Sequence, residues 1–169
     1  VAGDLTRADT LAGAVDGIDP AAWRATLLRN LDHALEHARR DQITLTLEAL
    51  NRTDMPGYAY HLPSQVIEIL AAVACAQLRL QFDGYHVVKE GLDPVREVHA
   101  AASWIGHVQI AGAPDRHEPN LRQGSLLQAL LALPNLGYDS WLGCEYAPAA
   151  GVVEGLSWSA PLRERGVLQ

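Results

Sequence analysis

Four oxygen-bearing side chains in this sequence share one local setting: each is the last polar residue of an apolar segment before a loop. They are Glu48, Asp83, Gln109 and Glu145. Carboxylates at close range repel one another, and burying their charges costs free energy unless a cation neutralises them. Because all four donors are oxygens, the set suits a hard divalent ion, Mg²⁺ or Mn²⁺, better than zinc. If the fold brings the four together, the sequence predicts a metal centre.

The elements that must position these residues follow a repeating helix-then-strand pattern. Asp19 and Pro20 are typical of a capped helix start. The helix that follows has an apolar stripe at helical spacing, made of Trp23, Leu27, Leu31, Leu35 and Ala38. Three more helices are predicted at about residues 64–77, 94–104 and 125–133, and strands within residues 43–51, 78–86, 107–112 and 140–146. Strands that alternate with helices predict a parallel sheet, here in one α/β domain over residues 1–169.

The parity of the strands indicates that the four side chains converge. If the apolar positions pack under the helices (Leu47, Phe82, Val108 or Ile110, and Leu142 or Cys144), then the four polar residues lie on the opposite face of the sheet. The carboxyl ends of parallel strands meet at one edge, so all four are expected there. Any one of them alone also fits a solvated loop residue, a helix cap or a hydrogen-bonded core amide. Their shared phase is what favours the metal site.

Composition excludes several classes of function. The net charge is −7 and the isoelectric point is near 5.4, with no basic cluster to bind a polyanion, so nucleic acid is not an expected partner. The two cysteines, Cys75 and Cys144, lack the spacing of a disulfide framework or a zinc site, and Cys144 is expected to be a small buried side chain. No segment predicts a membrane span, and a cytoplasmic location is expected.

Five segments resemble consecutive motifs of the hydroxypyruvate isomerase family, within the xylose isomerase-like TIM barrels. In order they are LEALNRTDMPGY, LQFDGYH, GHVQIAGAPDRHEPN, GYDSWLGCEY and AGVVEGLSW. The resemblance implies a (β/α)₈ barrel of which this chain holds only the C-terminal half, about strands five to eight, since a whole barrel takes about 250 residues. The start at Val1, without a methionine and in a polar, Gly-containing stretch at residues 1–13, fits an expected missing beginning.

The resemblance also implies roles for particular residues. It assigns the metal to Glu48, Asp83, Gln109 and Glu145, the set that strand parity selects, and it matches Glu48 and Glu145 to the catalytic glutamates of the family. It further implies that Arg116 grips a substrate carboxylate and that His86 hydrogen-bonds a substrate oxygen. On the residues alone, Arg116 could instead pair with Asp115 or Glu118 on a surface loop, and His86 could be a structural donor.

The implied reaction interconverts hydroxypyruvate and tartronate semialdehyde (2-hydroxy-3-oxopropanoate). A proton moves between adjacent carbons through an enediolate, so the enzyme is an intramolecular oxidoreductase that needs no redox cofactor. The family usually has Glu-Pro-Ile-Asn where this chain has Glu48, Ala49, Leu50 and Asn51, and a Gly-Glu-Ile-Asn-Tyr-like motif where this chain has LRQGSLLQ. The second departure bears on the choice of substrate.

Other functions remain open at this point. The nearest is the same chemistry on another small-molecule substrate, as in a 2-oxo-tetronate isomerase or a ketose 3-epimerase. DNA repair, as in the endonuclease IV family, is disfavoured by the acidic balance and by the lack of a histidine-rich, multi-zinc constellation. A third alternative is a non-catalytic half-barrel that acts as an oligomerisation or binding module, and a homo-oligomer is compatible with all of these.

Overall fold

The computed structural model describes residues 19–121 and 124–168, so the predicted polar stretch at residues 1–13 lies outside the described residues. The described residues form a sheet of four parallel strands in the order β1-β2-β3-β4. The strands are β1 (Leu45–Glu48), β2 (Leu78–Asp83), β3 (Ile105–Ile110) and β4 (Leu142–Cys144). The prediction of a parallel α/β sheet is confirmed, and each of the four strands overlaps a predicted segment.

Helices connect the strands. They are α1 (Pro20–Asp41), α2 (Pro63–Val73), α3 (Gly84–Lys89), α4 (Pro94–Ala101), α5 (Ser125–Ala132) and α6 (Ala160–Arg163). Short 3₁₀ helices follow at Ala102–Trp104, Pro134–Leu136 and Glu154–Ser159. Within residues 19–121 and 124–168, none of the helices combines the length and apolar character that a membrane span requires.

The first helix begins where the capping signal predicts. The Asp19 side chain accepts a hydrogen bond of 3.0 Å from the backbone N–H of Ala21, and Pro20 occupies the first turn. Of the predicted apolar stripe, Leu31, Leu35 and Ala38 are buried, whereas Trp23 and Leu27 are partly buried at the edge of the core. The amphipathic pattern therefore describes the side of α1 that packs on the sheet.

Several predicted boundaries differ from the structure. Ile43 lies before β1 and is 53% exposed, although alternation placed it in the strand. Helix α2 ends at Val73 and not near residue 77, because Ala74 adopts a left-handed backbone conformation with φ of 51°. Helix α3, which begins immediately after Asp83, was not predicted from the sequence. Cys144 is exposed and not buried, since β4 lies at one end of the described sheet.

The two faces of the sheet differ in chemistry. Leu80, Phe82, Val108 and Ile110 are at most 2% exposed and pack in one cluster with buried residues of the helices. The opposite face carries polar side chains, and the register places Glu48 beside Gln81 and Asp83 beside Gln109. This is the division between faces that strand parity predicts, and it gathers the polar residues on one surface.

Candidate functional site

A buried cluster of ionisable groups lies at the carboxyl ends of β1 and β2. Glu48 ends β1, Asp83 ends β2, and His86 follows on α3. Each contributes one atom to a group whose members all lie within 4.8 Å of one another. His86 Nε2 is 3.7 Å from Glu48 Oε1 and 3.8 Å from Asp83 Oδ2, beyond hydrogen-bonding distance. All three of these atoms are buried without a hydrogen-bond partner. Three such atoms facing one another are the arrangement that a cation or a polar ligand would satisfy.

Asp83 has two roles that the sequence left as alternatives. Its Oδ1 accepts a hydrogen bond of 2.8 Å from the backbone N–H of Tyr85 and so caps the start of α3. Its Oδ2 remains free to face Glu48 and His86. The cap explains why a helix begins directly at the end of β2. That helix carries His86 to the same side as Asp83, three residues later.

Burial dominates the electrostatics of the cluster. Burial first, and then the negative charges of Asp83 and Glu145, raise the pKa of Glu48 to about 7 against the opposing effect of Arg116. Burial likewise raises the pKa of Asp83 to about 6. The pKa of His86 falls to about 4, first because of burial and then because of the nearby Arg116 charge. The two carboxyl groups therefore hold their charges at a cost that a bound cation would remove.

Gln109 reaches the cluster through Gln81, a residue that was not selected from the sequence. Gln81 Nε2 donates a hydrogen bond of 2.8 Å to Glu48 Oε2 and a second, short one to Gln109 Oε1. Gln81 Oε1 accepts a hydrogen bond of 3.1 Å from the Thr46 hydroxyl. Gln81 thus joins β1 and β3 across β2 on the polar face. The signal was present, because Gln81 stands two residues before Asp83 and so shares its face of the strand.

Glu145 and Arg116 face the cluster from the loops after β4 and β3. Arg116 Nη2 lies 3.0 Å from Glu145 Oε2 and 3.8 Å from Asp83 Oδ2, and the guanidinium carbon is 4.9 Å from the centre of the Tyr85 ring. The Glu145 side chain is 48% exposed and lies outside the buried group formed by Glu48, Asp83 and His86. Arg116 therefore connects Glu145 to the buried carboxylates.

The loop that carries Arg116 is itself held by hydrogen bonds. The backbone N–H of Arg116 donates to Gly112 O over 2.8 Å, and the N–H of Gly112 donates to His117 O over 2.8 Å. The Glu118 carboxylate accepts from the backbone N–H of Ala149, whereas the ion pairs of Arg116 within the described residues are with Asp83 and Glu145. The pairing with Asp115 or Glu118 that the sequence allowed is not the arrangement found.

Gly143 is a further site residue that was not recognised from the sequence. It pairs in register with Gln109, and a Cβ atom at this position would lie 2.8 Å from His107 Nε2 and 3.0 Å from Gln109 Cγ. A larger residue at this position would require the His107 and Gln109 side chains to move on the polar face beside β4. The absence of a Cβ therefore makes room for one of the predicted metal ligands.

A family model described as xylose isomerase-like TIM barrel matches residues 2–162. This chain belongs to the xylose isomerase-like TIM barrel family. The resemblance carried by the motifs is confirmed, and so is a TIM-barrel-like α/β fold with a parallel sheet. That the chain is the C-terminal half of a barrel stays a prediction.

Two curated relatives are similar in sequence to most of this chain. It is 39% identical to a 2-oxo-tetronate isomerase of Cupriavidus necator over 157 residues, which cover 92% of this chain and 60% of the relative. It is 32% identical to a hydroxypyruvate isomerase of Escherichia coli over 147 residues, covering 87% of this chain and 57% of the relative. The chain thus spans less than two thirds of the length of either protein.

Solved structures agree on the fold. The structure of an AP endonuclease, family 2, from Brucella melitensis superposes with a TM-score of 0.79 at 32% identity, over 86% of this chain and 57% of that one. The 3-keto-D-glucoside 4-epimerase of Escherichia coli gives a TM-score of 0.75 at 17% identity, over 91% of this chain and 57% of that one. At that identity the second likeness shows the fold alone.

Proposed function

We propose that this protein is a metal-dependent isomerase that interconverts hydroxypyruvate and 2-hydroxy-3-oxopropanoate. The observation that supports this most directly is the pair of unpartnered, buried carboxylate oxygens, Glu48 Oε1 and Asp83 Oδ2, beside the fixed positive charge of Arg116. The curated relatives from Cupriavidus necator and Escherichia coli, both isomerases of small oxo acids by name, support the same class of reaction.

The residues on the polar face fit a hard divalent ion. Glu48 and Asp83 offer unsatisfied oxygens, and Gln109 and Glu145 would complete a set of oxygen donors for Mg²⁺ or Mn²⁺. When bound there, the ion would act as a Lewis acid toward the substrate oxygens. The raised pKa values of Glu48 and Asp83 are consistent with carboxylates built to face a cation.

Glu48 and Glu145 are suited to move the proton between the two carbons. A carboxylate can accept a proton from one carbon and return it to the other, and in the absence of metal, burial raises the pKa of Glu48 to about 7. Glu145 approaches from a different strand and a more exposed position, so the two carboxylates can act from different sides of a substrate. Two such groups are what a reversible proton transfer between adjacent carbons requires.

Arg116 and His86 are suited to bind the substrate. The guanidinium can hold a substrate carboxylate with two hydrogen bonds, and its stacking on Tyr85 limits where it can move. His86 Nε2 faces the same space without a partner and can bond a substrate oxygen. A substrate with a carboxylate next to a carbonyl would contact both residues.

The same residues would accept a longer acid. A 2-oxo-tetronate shares the carboxylate and the adjacent carbonyl, and the relative at 39% identity bears that substrate in its name. DNA repair, suggested by the name of the Brucella protein, is disfavoured because the chain has a net charge of −7 and its sequence has no basic cluster for a phosphate backbone.

The proposal is tested by a substrate panel. The metal-stripped protein would be supplied with Mg²⁺, Mn²⁺ or chelator and incubated in D₂O with hydroxypyruvate, a 2-oxo-tetronate or a ketose, and solvent deuterium in substrate and product would be followed by NMR. We expect metal-dependent isomerisation of hydroxypyruvate. Full activity after metal stripping would refute the metal dependence. Self-association without turnover of any substrate would favour a binding module.

A further inference from the structure

Asn51 lies three residues after Glu48. It contacts Nδ1 of His86, whereas the carboxylates face Nε2 on the other side of the ring. Both residues are buried, with Asn51 0% and His86 3% exposed. We propose that Asn51 is a positioning residue that holds His86 in the tautomer with its proton on Nε2, so that His86 serves the site as a hydrogen-bond donor and not as a metal ligand. The effect on turnover rests on the function proposed above, whereas the tautomer does not.

The orientation of the Asn51 amide is determined by Asp54. The backbone N–H of Asp54 donates to Asn51 Oδ1 over 2.9 Å, which identifies that atom as the amide oxygen. On the other side, Asn51 Nδ2 donates to Asp54 Oδ2 over 3.0 Å. If the amide were flipped, an N–H group would face an N–H group and an oxygen would face a carboxylate. Two independent contacts therefore place the amide nitrogen on the side that faces His86.

His86 Nδ1 consequently faces two hydrogen-bond donors. The backbone N–H of Asn51 donates to it over 3.0 Å, and Asn51 Nδ2 lies 2.7 Å away. Neither group can accept a hydrogen bond from an N–H on the ring, so Nδ1 must accept hydrogen bonds through its lone pair. A neutral imidazole carries one proton, which must then reside on Nε2. The tautomer of His86 thus follows from contacts made at the opposite nitrogen of the ring.

The carboxylate that orients Asn51 is held in turn by α3. The Tyr85 hydroxyl donates a hydrogen bond of 2.6 Å to Asp54 Oδ2, and Lys89 Nζ lies 3.5 Å from Asp54 Oδ1. Asp54, Asn51 and His86 form a connected series from the surface to the buried cluster. The series links the loop after β1 to the helix after β2, so His86 is oriented by residues from both elements.

This tautomer changes how the buried cluster is interpreted. An Nε2 that carries a proton has no lone pair for a metal. Metal binding there would require the ring to lose its proton, or to move it to Nδ1, where it would face two hydrogen-bond donors. The cluster of Glu48, Asp83 and His86 therefore offers a cation two oxygens and no nitrogen. The protonated Nε2 can instead donate to an oxygen of a substrate bound between the carboxylates and Arg116. Exclusion of the nitrogen ligand favours Mg²⁺ or Mn²⁺ over zinc.

The test is direct observation of the His86 ring by NMR. Long-range ¹H–¹⁵N spectra of protein labelled with ¹⁵N-histidine, recorded at neutral pH, distinguish a protonated ring nitrogen from an unprotonated one. The chain has seven histidines, so the His86 signals are assigned by their loss in His86→Gln. We expect a protonated Nε2 and an unprotonated Nδ1, both before and after addition of Mg²⁺. A proton on Nδ1 in the wild type, or the loss of the Nε2 proton when Mg²⁺ is added, would overturn the proposal.

Two variants test the part played by Asn51. Asn51→Asp puts a proton-accepting oxygen beside Nδ1, so a proton should appear on Nδ1 in a substantial fraction of molecules. Asn135→Asp, at an exposed position of the 3₁₀ turn Pro134–Leu136, makes the same charge change and should leave the His86 signals unchanged. If Asn51→Asp does not fold, Asn51→Ser removes the amide donor and should also increase the Nδ1–H fraction. A His86 ring unchanged in a folded Asn51 variant refutes the role of this side chain.

Turnover separates this inference from the proposed function. If the protein is an isomerase, Asn51→Asp should lower kcat by about ten- to a hundredfold, the usual effect of losing a residue that orients a ligand or donor, while the affinity for Mn²⁺ changes little. A loss of Mn²⁺ affinity as large as the loss of kcat would indicate that His86 is a ligand. An inactive wild type with the expected ring signals would refute the isomerase proposal and leave the tautomer assignment standing.

Discussion

Arg116 and Glu145 form an ion pair across the gap between the loops that follow β3 and β4, with Nη2 3.0 Å from Oε2. The same nitrogen lies 3.8 Å from Asp83 Oδ2. One guanidinium thus balances carboxylates that arrive from two strands, in a position where a substrate carboxylate could also reach it. A residue with this placement can act on the substrate, on the charge of the site, or on both.

The first prediction separates these roles of Arg116. Arg116→Lys keeps the charge but cannot reproduce the two-pronged geometry, so it should raise KM for hydroxypyruvate and lower kcat/KM by about ten- to a hundredfold. The measurement is steady-state kinetics on hydroxypyruvate and on a neutral analogue in which an amide replaces the carboxylate. An equal loss of efficiency on both substrates would mean that Arg116 acts only by positioning Glu145 and Asp83.

The second prediction concerns the two glutamates. Glu48→Gln and Glu145→Gln retain an oxygen but remove the proton acceptor, so each should lower kcat by about a hundredfold or more. Glu68→Gln, on the exposed side of α2, makes the same change away from the site and should leave kcat unaltered. Steady-state kcat and KM would be compared at saturating Mn²⁺ so that metal loss does not contribute. A change confined to KM would reduce both residues to a binding role.

The third prediction concerns pH and stability in the absence of metal. The folded pKa values of Glu48 and Asp83 are raised to about 7 and about 6, from 4.5 and 3.8, so both groups make the free energy of unfolding fall as pH rises. His86, lowered from 6.5 to about 4, acts in the opposite direction over a similar window and roughly cancels Asp83. The net effect is that of Glu48, a loss on the order of 3 kcal/mol between about pH 4.5 and 7.

Urea unfolding in chelator at several pH values between about 4.5 and 8 measures this effect. Glu48→Gln, which cannot ionise, should make the dependence nearly flat over the window. Added Mg²⁺ should reverse the trend, because it binds the deprotonated carboxylates and stabilises the folded state more at high pH. Wild-type stability that rises steadily from about pH 5 to 8 in chelator would show that these carboxyl groups are not destabilised by burial.

The fourth prediction tests the support that Gln81 provides. Gln81→Ala removes the donor that holds both Glu48 and Gln109, so the affinity for Mn²⁺ should fall by about ten- to a hundredfold. Excess metal should restore most of the activity, because the proton-transfer groups remain. Gln128→Ala on the exposed side of α5 is the matched control. Calorimetric titration with Mn²⁺ gives the answer directly, and an unchanged affinity would make Gln81 a core amide without influence on the site.

Much of the architecture could be predicted because it depends on local periodicity. The stripe of α1 has helical spacing, and the alternation in β2 and β3 places apolar side chains under the helices and polar ones on the other face. Asp83 and Gln109 could be selected in this way, since strand parity requires only the sequence of one strand. Periodicity does not predict helix α3, because a segment of only six residues that begins with Gly84 and Tyr85 has no clear helical period.

Contacts between distant segments could not be predicted from the sequence. Asn51 and His86 are 35 residues apart, and Arg116 and Glu145 are 29 apart, so their meeting depends on which strands are neighbours and in what register. Periodicity specifies the face of a strand, but not the partner across the gap. The sequence by itself therefore determined most of the elements, the polar face and the candidate ligands. Only the tertiary structure decided which of their atoms are left unpartnered and which nitrogen of His86 faces the site, because burial and hydrogen bonding are properties of the packed chain.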